Sequence, residues 1–138
     1  MLNWYDLPTY YDVSFSYEMS DELAFLKEVF KKYSNSPQPK LLEPACGTGR
    51  LMIPLIREGF DCSGFDLNRN ALLYLEKKLD RNQLHANVFY DDMSNFTTHE
   101  KYDGIYCTVD TFRHLLIEKQ VKQHLVNVTK ALKKNGIY

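Results

Sequence analysis

The sequence has too few cysteines for a protein that is stabilised by several disulfide bonds or by a cysteine-bound metal ion. Its 138 residues include three cysteines, Cys46, Cys62 and Cys107, an odd number with no C-x-x-C or zinc-ligand spacing. This pattern disfavours a disulfide framework and a structural metal site. It fits a reducing, cytoplasmic setting, and we expect no metal ion.

An excess of charge of one sign and a long apolar run are also lacking. Seventeen basic residues stand against eighteen acidic residues, so the formal net charge is −1. The positive field that steers proteins to nucleic acid is therefore absent. The amino terminus, MLNWYDLPTYYD, is aromatic and acidic, and no window approaches eighteen uncharged apolar residues. We expect no signal peptide, no membrane-spanning helix, and neither nucleic acid nor a membrane as partner.

Segments whose apolar residues are spaced as in a strand alternate, through most of the chain, with segments whose apolar residues are spaced as in a helix. Ser20 is a candidate N-cap for a helix with Leu23, Leu26, Phe30 and Tyr33 at helical spacing, and residues 34–39 follow as a linker. The segments KLLEPA, CSGFDLN, ANVFYDD and YDGIYCTVD then predict four strands, and GRLMIPLIREGF and NRNALLYLEKKL predict helices between them. A last helix has apolar residues at helical spacing and a stop at Asn135-Gly136: Ile117, Val121, Leu125, Val128 and Leu132.

This order of elements predicts an α/β fold, a doubly wound and mostly parallel sheet with helices on both faces. We expect one domain, in which residues 1–36 form a helical cap region and residues 37–138 form a Rossmann-like core. Ligands of such sheets bind beyond the carboxyl ends of the strands. The informative residues are therefore those that end each strand: Glu43 to Gly49, Asp66, Asp91 to Met93, and Cys107 to Asp110.

A glycine-containing loop follows the first strand, in LLEPACGTGRL at residues 41–51. Gly47 and Gly49 allow a sharp bend, and the next helix offers its positive end to an anionic group. The dinucleotide fingerprint G-x-G-x-x-G would need glycine in place of Met52, and the Gly-Lys-Ser/Thr of a P-loop is absent. Glu43 would repel a pyrophosphate but suits a ligand with an ammonium or sulfonium group.

Two further strand ends suit an adenosine. Asp66 ends the second strand nineteen residues after Gly47, where an acid accepts hydrogen bonds from both hydroxyls of a ribose. Asp92 can accept from an exocyclic amine, and Met93 beside it can pack on an aromatic ring. Together these positions describe an adenosine with a cationic, amino-acid-like tail.

LLEPACGTGRL resembles the first motif of class I S-adenosylmethionine-dependent methyltransferases. GFDLN resembles their second motif, YDDMSNF the third, YDGIYCTVDTFRHL the fourth strand and its loop, and ALKKNGIY the run into the fifth strand. The resemblance implies a methyltransferase with S-adenosylmethionine as cofactor. CTVD after the fourth strand differs from the Asn/Asp-Pro-Pro-Tyr/Phe of DNA amino-methylating enzymes, and no Pro-Cys nucleophile is present, which favours a small-molecule acceptor.

The resemblance also implies a role for each motif residue. Glu43 would lie near the amino group of the cofactor, and Cys107 would contribute backbone near the sulfonium. Early Tyr-Asp pairs of the family, in which a tyrosine closes over the cofactor, resemble YYD at residues 10–12 and point to Tyr11. The other roles would be divided among the methionine part (Ala45, Cys46, Gly47, Gly49), the ribose (Asp66, Leu67) and the adenine (Asp92, Met93). His114 and Asp110 are candidate bases, but no catalytic residue is assigned.

Two departures from the family pattern carry expectations. Ala45 stands where a first glycine often lies, and we expect this position to need less φ freedom than the glycines. The chain ends at Tyr138 as the fifth strand begins, whereas the family sheet has seven strands; we expect an incomplete core and an uncovered sheet edge that favours a homo-oligomer. Two alternatives stay open: a catalytically silent cofactor-binding module or fragment that acts as a scaffold or needs a completing chain, and an NAD-dependent enzyme, which Met52 opposes.

Overall fold

The computed structural model of the protein describes residues 3–16, 19–108 and 110–138. Residues 1, 2, 17 and 18 of the expected cap region and Val109 of the fourth-strand segment lie outside these ranges. The chain begins with a short 3-10 turn and two helices: Trp4–Asp6, α1 (Pro8–Phe15) and α2 (Ser20–Tyr33). α2 buries Leu26 and Phe30 as its spacing predicts, although Met19 and not Ser20 occupies the N-cap position.

Among the described residues, five parallel strands form one sheet in the spatial order β3-β2-β1-β4-β5. The strands are β1 (Lys40–Pro44), β2 (Asp61–Asp66), β3 (Asn87–Tyr90), β4 (Tyr102–Ile105) and β5 (Leu132–Ile137). The connecting elements are α3 (Met52–Arg57), α4 (Arg69–Arg81), a 3-10 turn (Thr111–His114) and α5 (Glu118–Ala131). The predicted doubly wound parallel sheet is confirmed. The chain runs outward from β1 to β3 and then returns to β4, so the switch point lies between β1 and β4.

Helices pack on both faces of the sheet and divide the core into two clusters. One cluster joins α2, α3 and α4 to the sheet, with three leucines of α4 inside it: Leu72, Leu75 and Leu79. The other joins α5 and the segment before β4 to the opposite face: Phe65, Met93, Phe96, Tyr102, Leu115 and Val128. No helix in the described ranges combines the length and apolar character needed to cross a membrane.

The apolar stripe expected on α5 is partly wrong. Ile117 precedes the helix and is 57% exposed, and Leu125 is 42% exposed. The helix instead buries a face centred on His124 and Val128. Polar His124 is accepted in this face because both ring nitrogens find partners, so the buried stripe includes a residue that a hydrophobic period omits.

The expected stop of α5 at Asn135-Gly136 is also wrong. The helix ends at Ala131, and β5 is formed rather than merely begun at the end of the chain. Tyr102 pairs with Leu132 and Gly104 pairs with Ile137, so β5 carries a bulge opposite β4. Asn135, at φ +67°, lies within this bulge, which explains a turn-forming pair inside a strand.

Candidate cofactor site

A cavity of about 790 Å³ opens at the carboxyl ends of β1, β2 and β3. Seven of the eleven residues that the sequence predicts for a cofactor line it together: Tyr11, Ala45, Gly47, Asp66, Leu67, Asp92 and Met93. The remaining wall includes residues of the amino-terminal segment and of the segment after β4, among them Asn3, Tyr5, Asp110, His114 and Gln120. One cavity therefore joins three strand ends that are far apart in the sequence.

The loop after β1 has three left-handed residues within five positions. Ala45, Gly47 and Gly49 have φ values of +55°, +53° and +74°. The expectation that Ala45 needs less φ freedom is wrong, since its φ matches that of Gly47. A Cβ added to Gly47 would meet nothing within 4 Å, whereas one added to Gly49 would collide with the side chain of Leu75. Gly47 therefore leaves space at the loop, and Gly49 permits the close approach of α4.

Asp66 ties the end of β2 to this loop. One carboxylate oxygen accepts from the backbone N–H of Gly47 at 2.8 Å, and the other accepts from the backbone N–H of Asn68 at 2.8 Å. Because a carboxylate has about four acceptor positions, Asp66 retains capacity for hydroxyl donors from a ligand. Asn68 then caps α4 by accepting from the backbone N–H of Ala71 at 3.1 Å.

The loop after β3 is held by its own acids. Asp91 accepts from the backbone N–H groups of Asp92 at 2.8 Å and Thr97 at 3.2 Å. Asp92 accepts from the backbone N–H of Ser94 at 2.8 Å. These bonds fix a turn that brings Asp92 and Met93 to the cavity, and each carboxylate retains acceptor capacity.

Glu43 lies in β1 beneath the cavity, not on its wall. Its side chain accepts from the Tyr106 hydroxyl at 2.9 Å, and the residue is 9% exposed. Burial raises the pKa of Glu43 to about 8, although the Tyr106 hydrogen bond and the charge of Arg50 act in the opposite direction. A cation near this carboxyl would favour its ionised form.

Three other predicted residues lie off the cavity wall. Gly49 faces α4, and Cys46 is buried with a side chain close to Gly64 of β2. Cys107 is partly buried, and burial raises its pKa to about 12. Burial also raises the pKa of Cys46 well above its ordinary value. Both thiols are therefore protonated at neutral pH and pack as small apolar groups.

The amino-terminal segment supplies an aromatic part of the cavity wall. The Tyr11 ring lies 5.6 Å from Tyr5 and 4.6 Å from Phe15, measured between ring centroids. Tyr5 in turn meets His114, from the segment after β4, at 5.9 Å edge to face. Tyr11 is thus part of a row of rings that borders the cavity.

Residues 41–136 of the chain match a protein-family model that describes a methyltransferase domain. These residues include the glycine loop, Asp66, the Asp92–Met93 turn and β5 up to Gly136. The chain belongs to this methyltransferase family.

Individual relatives of this methyltransferase domain are distant in sequence. A Geobacillus protein (strain WCH70) named as a methyltransferase is 28% identical over 114 residues, covering 83% of this chain and 46% of the relative. A glycine/sarcosine N-methyltransferase of Aphanothece halophytica is 28% identical over 120 residues, covering 86% of this chain and 44% of the relative. The chain thus spans less than half the length of these two relatives.

Solved structures share the fold of this methyltransferase domain. An S-adenosylmethionine-dependent methyltransferase of Clostridium acetobutylicum superposes with a TM-score of 0.81 at 25% identity, over 93% of this chain and 52% of the other. The sugar N-methyltransferase KedS8 of Streptoalloteichus superposes with a TM-score of 0.80 at 20% identity, over 99% of this chain and 53% of the other. These chains too are about twice as long as the methyltransferase domain described above.

The two candidate bases border the cavity of the methyltransferase domain without a defined catalytic arrangement. Asp110 is exposed and pairs with Arg113 at 3.3 Å, and His114 has Tyr5 as its aromatic neighbour. Within the described ranges, no cluster of three His, Cys, Asp or Glu side chains has the geometry of a metal site.

Sequence reasoning missed two polar residues that organise the methyltransferase domain. Asp12 is buried between α1, the glycine loop and α4, and His124 is buried between α5 and the loop after β3. Asp12 is the last residue of the YYD motif, but the family resemblance implies a role for Tyr11 and none for Asp12. His124 gave no local signal, because its partners are a backbone carbonyl and Tyr138.

Proposed function

We propose that this chain is the cofactor-binding portion of an S-adenosylmethionine-dependent methyltransferase that acts on a nitrogen, oxygen or carbon atom of a small-molecule acceptor. The observation that carries the proposal is the single cavity joining Gly47, Asp66 and the Asp92–Met93 turn. The family match and the fold of the structural neighbours support the same reaction class.

The residues of the cavity fit the parts of this cofactor. Asp66, with Leu67 beside it, would accept from the ribose hydroxyls, and Asp92 with Met93 would border the adenine. The open backbone at Gly47 would receive the methionine part, and the buried acid Glu43 of β1 would lie near its amino group. When bound, the cofactor supplies a methyl group on a positively charged sulfur.

The charge of the cavity wall also suits a cation. Its ionisable side chains include five aspartates and one arginine: Asp6, Asp66, Asp91, Asp92, Asp110 and Arg69. The whole chain is nearly neutral, so this concentration of acid is local. A negative cavity raises the local concentration of a sulfonium ligand and repels anionic competitors.

A small-molecule acceptor agrees with the size of the cavity, about 790 Å³. His114 and Gln120, which are not among the residues proposed for the cofactor, also line it. The relatives include a glycine/sarcosine N-methyltransferase, whose named acceptors are small. Holding the acceptor in line with the methyl group would supply much of the rate enhancement, so the chemistry does not depend on a strong base.

Calorimetric titration with S-adenosylmethionine and S-adenosylhomocysteine tests the cofactor assignment. We expect micromolar binding, and we expect Asp66→Ala to weaken it at least tenfold, about 1.4 kcal/mol, because charge-assisted bonds to the ribose are lost. Asp80→Ala, an exposed acid on α4 away from the cavity, is the matched control. Unchanged affinity in a folded Asp66→Ala protein would refute the ribose assignment.

Turnover separates an enzyme from a silent binding module. S-adenosylhomocysteine formation would be measured with panels of amine, hydroxyl and carboxylate acceptors, for this chain and for a longer form of the protein. Formation that depends on an acceptor supports methyl transfer. Tight cofactor binding without product in either form would favour the scaffold alternative.

A further inference from the structure

The helix α1 is attached to the rest of the protein by polar contacts. Asp12 is its one buried residue, at 9% exposure. The apolar side chains of Tyr10 and Val13 are 65% and 75% exposed. No apolar side chain of α1 is fully buried, so the polar contacts of Asp12 carry a large share of its attachment to the core.

The Asp12 carboxylate joins three separate elements. It accepts from the Lys78 ammonium at 2.8 and 2.9 Å and from the Tyr74 hydroxyl at 3.0 Å, both on α4. It also accepts from the Thr48 hydroxyl at 3.0 Å. Thr48 lies between Gly47 and Gly49 and is 2% exposed. A side chain of α1 thus holds the centre of the glycine loop.

The charge of Asp12 is maintained in this position. Burial alone would raise its pKa, but hydrogen bonds and charge from Lys78, with further bonds from Thr48 and Tyr74, lower the pKa below its ordinary value. The carboxylate is therefore ionised at neutral pH. Hydrogen bonds to an ionised acceptor are about twice as strong as neutral ones, which suits a contact without apolar support.

The same helix carries part of the cavity wall. Pro8, Tyr11 and Phe15 of α1 border the cavity, and so do Gly47 and Thr48 of the glycine loop. Asp12 connects these two parts directly. A displacement of α1 would therefore move the aromatic wall and release Thr48 at the same time.

We propose that Asp12 is a positioning residue for cofactor binding, which fixes the glycine loop through Thr48 and the α1 wall through Lys78 and Tyr74 in one arrangement. The inference rests on the proposed cofactor site. Because coupling is reciprocal, a bound cofactor stabilises the packing of α1 on the core, and a displaced α1 lowers the affinity for the cofactor.

Hydrogen exchange and calorimetry on the 138-residue chain test this coupling. In the wild type, S-adenosylhomocysteine should slow amide exchange in residues 8–15. In Asp12→Asn, exchange in this range should be faster, ligand protection should shrink, and affinity should fall about 5- to 50-fold, within the usual range of coupling energies. Asp21→Asn, an exposed acid on α2, is the matched control and should change neither quantity.

Two further variants separate positioning from simple support of the fold. Thr48→Val removes only the bond to the loop, so it should weaken the ligand while α1 keeps its slow exchange in the free protein. Lys78→Gln removes the charged partner, so it should speed exchange in α1. These variants also carry the test if Asp12→Asn fails to fold.

The outcomes distinguish the two proposals. A folded wild type that binds neither S-adenosylmethionine nor S-adenosylhomocysteine refutes the proposed function and this inference with it. A wild type that binds, together with Asp12→Asn and Thr48→Val proteins that bind equally well, refutes the inference alone. Faster exchange in α1 without any loss of affinity leads to the same refutation.

Discussion

Two sides of the cavity are held in place by different kinds of polar residue. On the amino-terminal side, ionised Asp12 holds α1 through Lys78. On the opposite side, His124 of α5 is fully buried and bonds the Met93 carbonyl through Nδ1 at 2.7 Å and the Tyr138 hydroxyl at 2.8 Å through Nε2. The first side depends on the buried charge of Asp12 and its partly exposed partner Lys78, and the second depends on a neutral ring inside the core.

The tautomer of His124 follows from its two partners. A carbonyl can only accept, so Nδ1 carries the proton and donates to Met93, and Nε2 accepts from Tyr138. Aromatic rings of Phe96 and Phe112 surround the imidazole, with centroids at 5.8 and 5.7 Å. From this difference we expect the wall at Met93 to be rigid, and we expect α1 to open from the core at a lower free-energy cost.

The largest expected effect comes from removing the neutral side. His124→Ala leaves a cavity among aromatic rings and an unpaired Met93 carbonyl, so we expect a loss of about 2–4 kcal/mol in the free energy of unfolding. Urea denaturation measures this loss. His85→Ala, an exposed histidine before β3, should change stability by less than about 0.5 kcal/mol. Equal stability of the two variants would show that His124 does not hold this side.

Glu43, the buried acid of β1, should give the next largest effect on stability. The folded pKa of Glu43 is raised to about 8 from 4.5, so the folded protein holds a proton that the unfolded chain releases above pH 4.5. Its contribution therefore lowers stability as pH rises from 4.5 to about 8. We expect Glu43→Gln to be more stable than the wild type at pH 8 by about 1 kcal/mol or more.

Proton release on ligand binding provides a second test of the position of Glu43. A cofactor ammonium close to this carboxyl would ionise it, so binding at pH 7 should release a proton. Calorimetry in buffers of different ionisation enthalpy detects this release, and adenosine, which lacks the ammonium, is the matched ligand. Equal proton release for S-adenosylmethionine and adenosine would contradict the placement of Glu43 near the amino group.

Acid should separate the two sides in different pH windows. Burial lowers the pKa of His124, with the Met93 bond opposing, so its contribution to stability declines as pH falls below the ordinary value of 6.5. The pKa of Asp12 is lowered from 3.8, so its contribution is complete above that value and is lost as pH falls through the folded pKa. At pH 5, the Asp12 contacts should therefore remain while the His124 contribution has decreased.

Unfolding curves and exchange rates at pH 5 and pH 7.5 check this order. His124→Gln should lose less stability between these values than the wild type, because its amide does not titrate. Exchange in residues 8–15, corrected for the intrinsic effect of pH, should be no faster at pH 5. Earlier opening of α1 than of the segment around Met93 would reverse the comparison.

The sheet, its crossovers and the strand-end residues could be predicted because they follow from local periods and from parallel topology. The polar residues that hold the cavity walls could not, because their partners come from other elements. Asp12 and Lys78 are separated by 66 positions, and His124 bonds a carbonyl that carries no side-chain signature. The bulge in β5 was missed for a related reason, since Asn-Gly indicates a turn without indicating whether a strand continues past it.

The smallest expected effect tests the loop that Asp12 reaches through Thr48. Ala45 has a left-handed φ of +55°, which costs an L-residue about 1 kcal/mol, and glycine would remove that cost while adding about 0.5–1 kcal/mol of unfolded-chain entropy. Ala45→Gly should therefore change the free energy of unfolding by less than about 0.5 kcal/mol. Ala45→Val, with a β-branched side chain at the same φ, should be destabilised by more than about 1 kcal/mol. Urea denaturation of this pair measures the difference, and equal stability of the valine and glycine variants would show that Ala45 is not left-handed in solution.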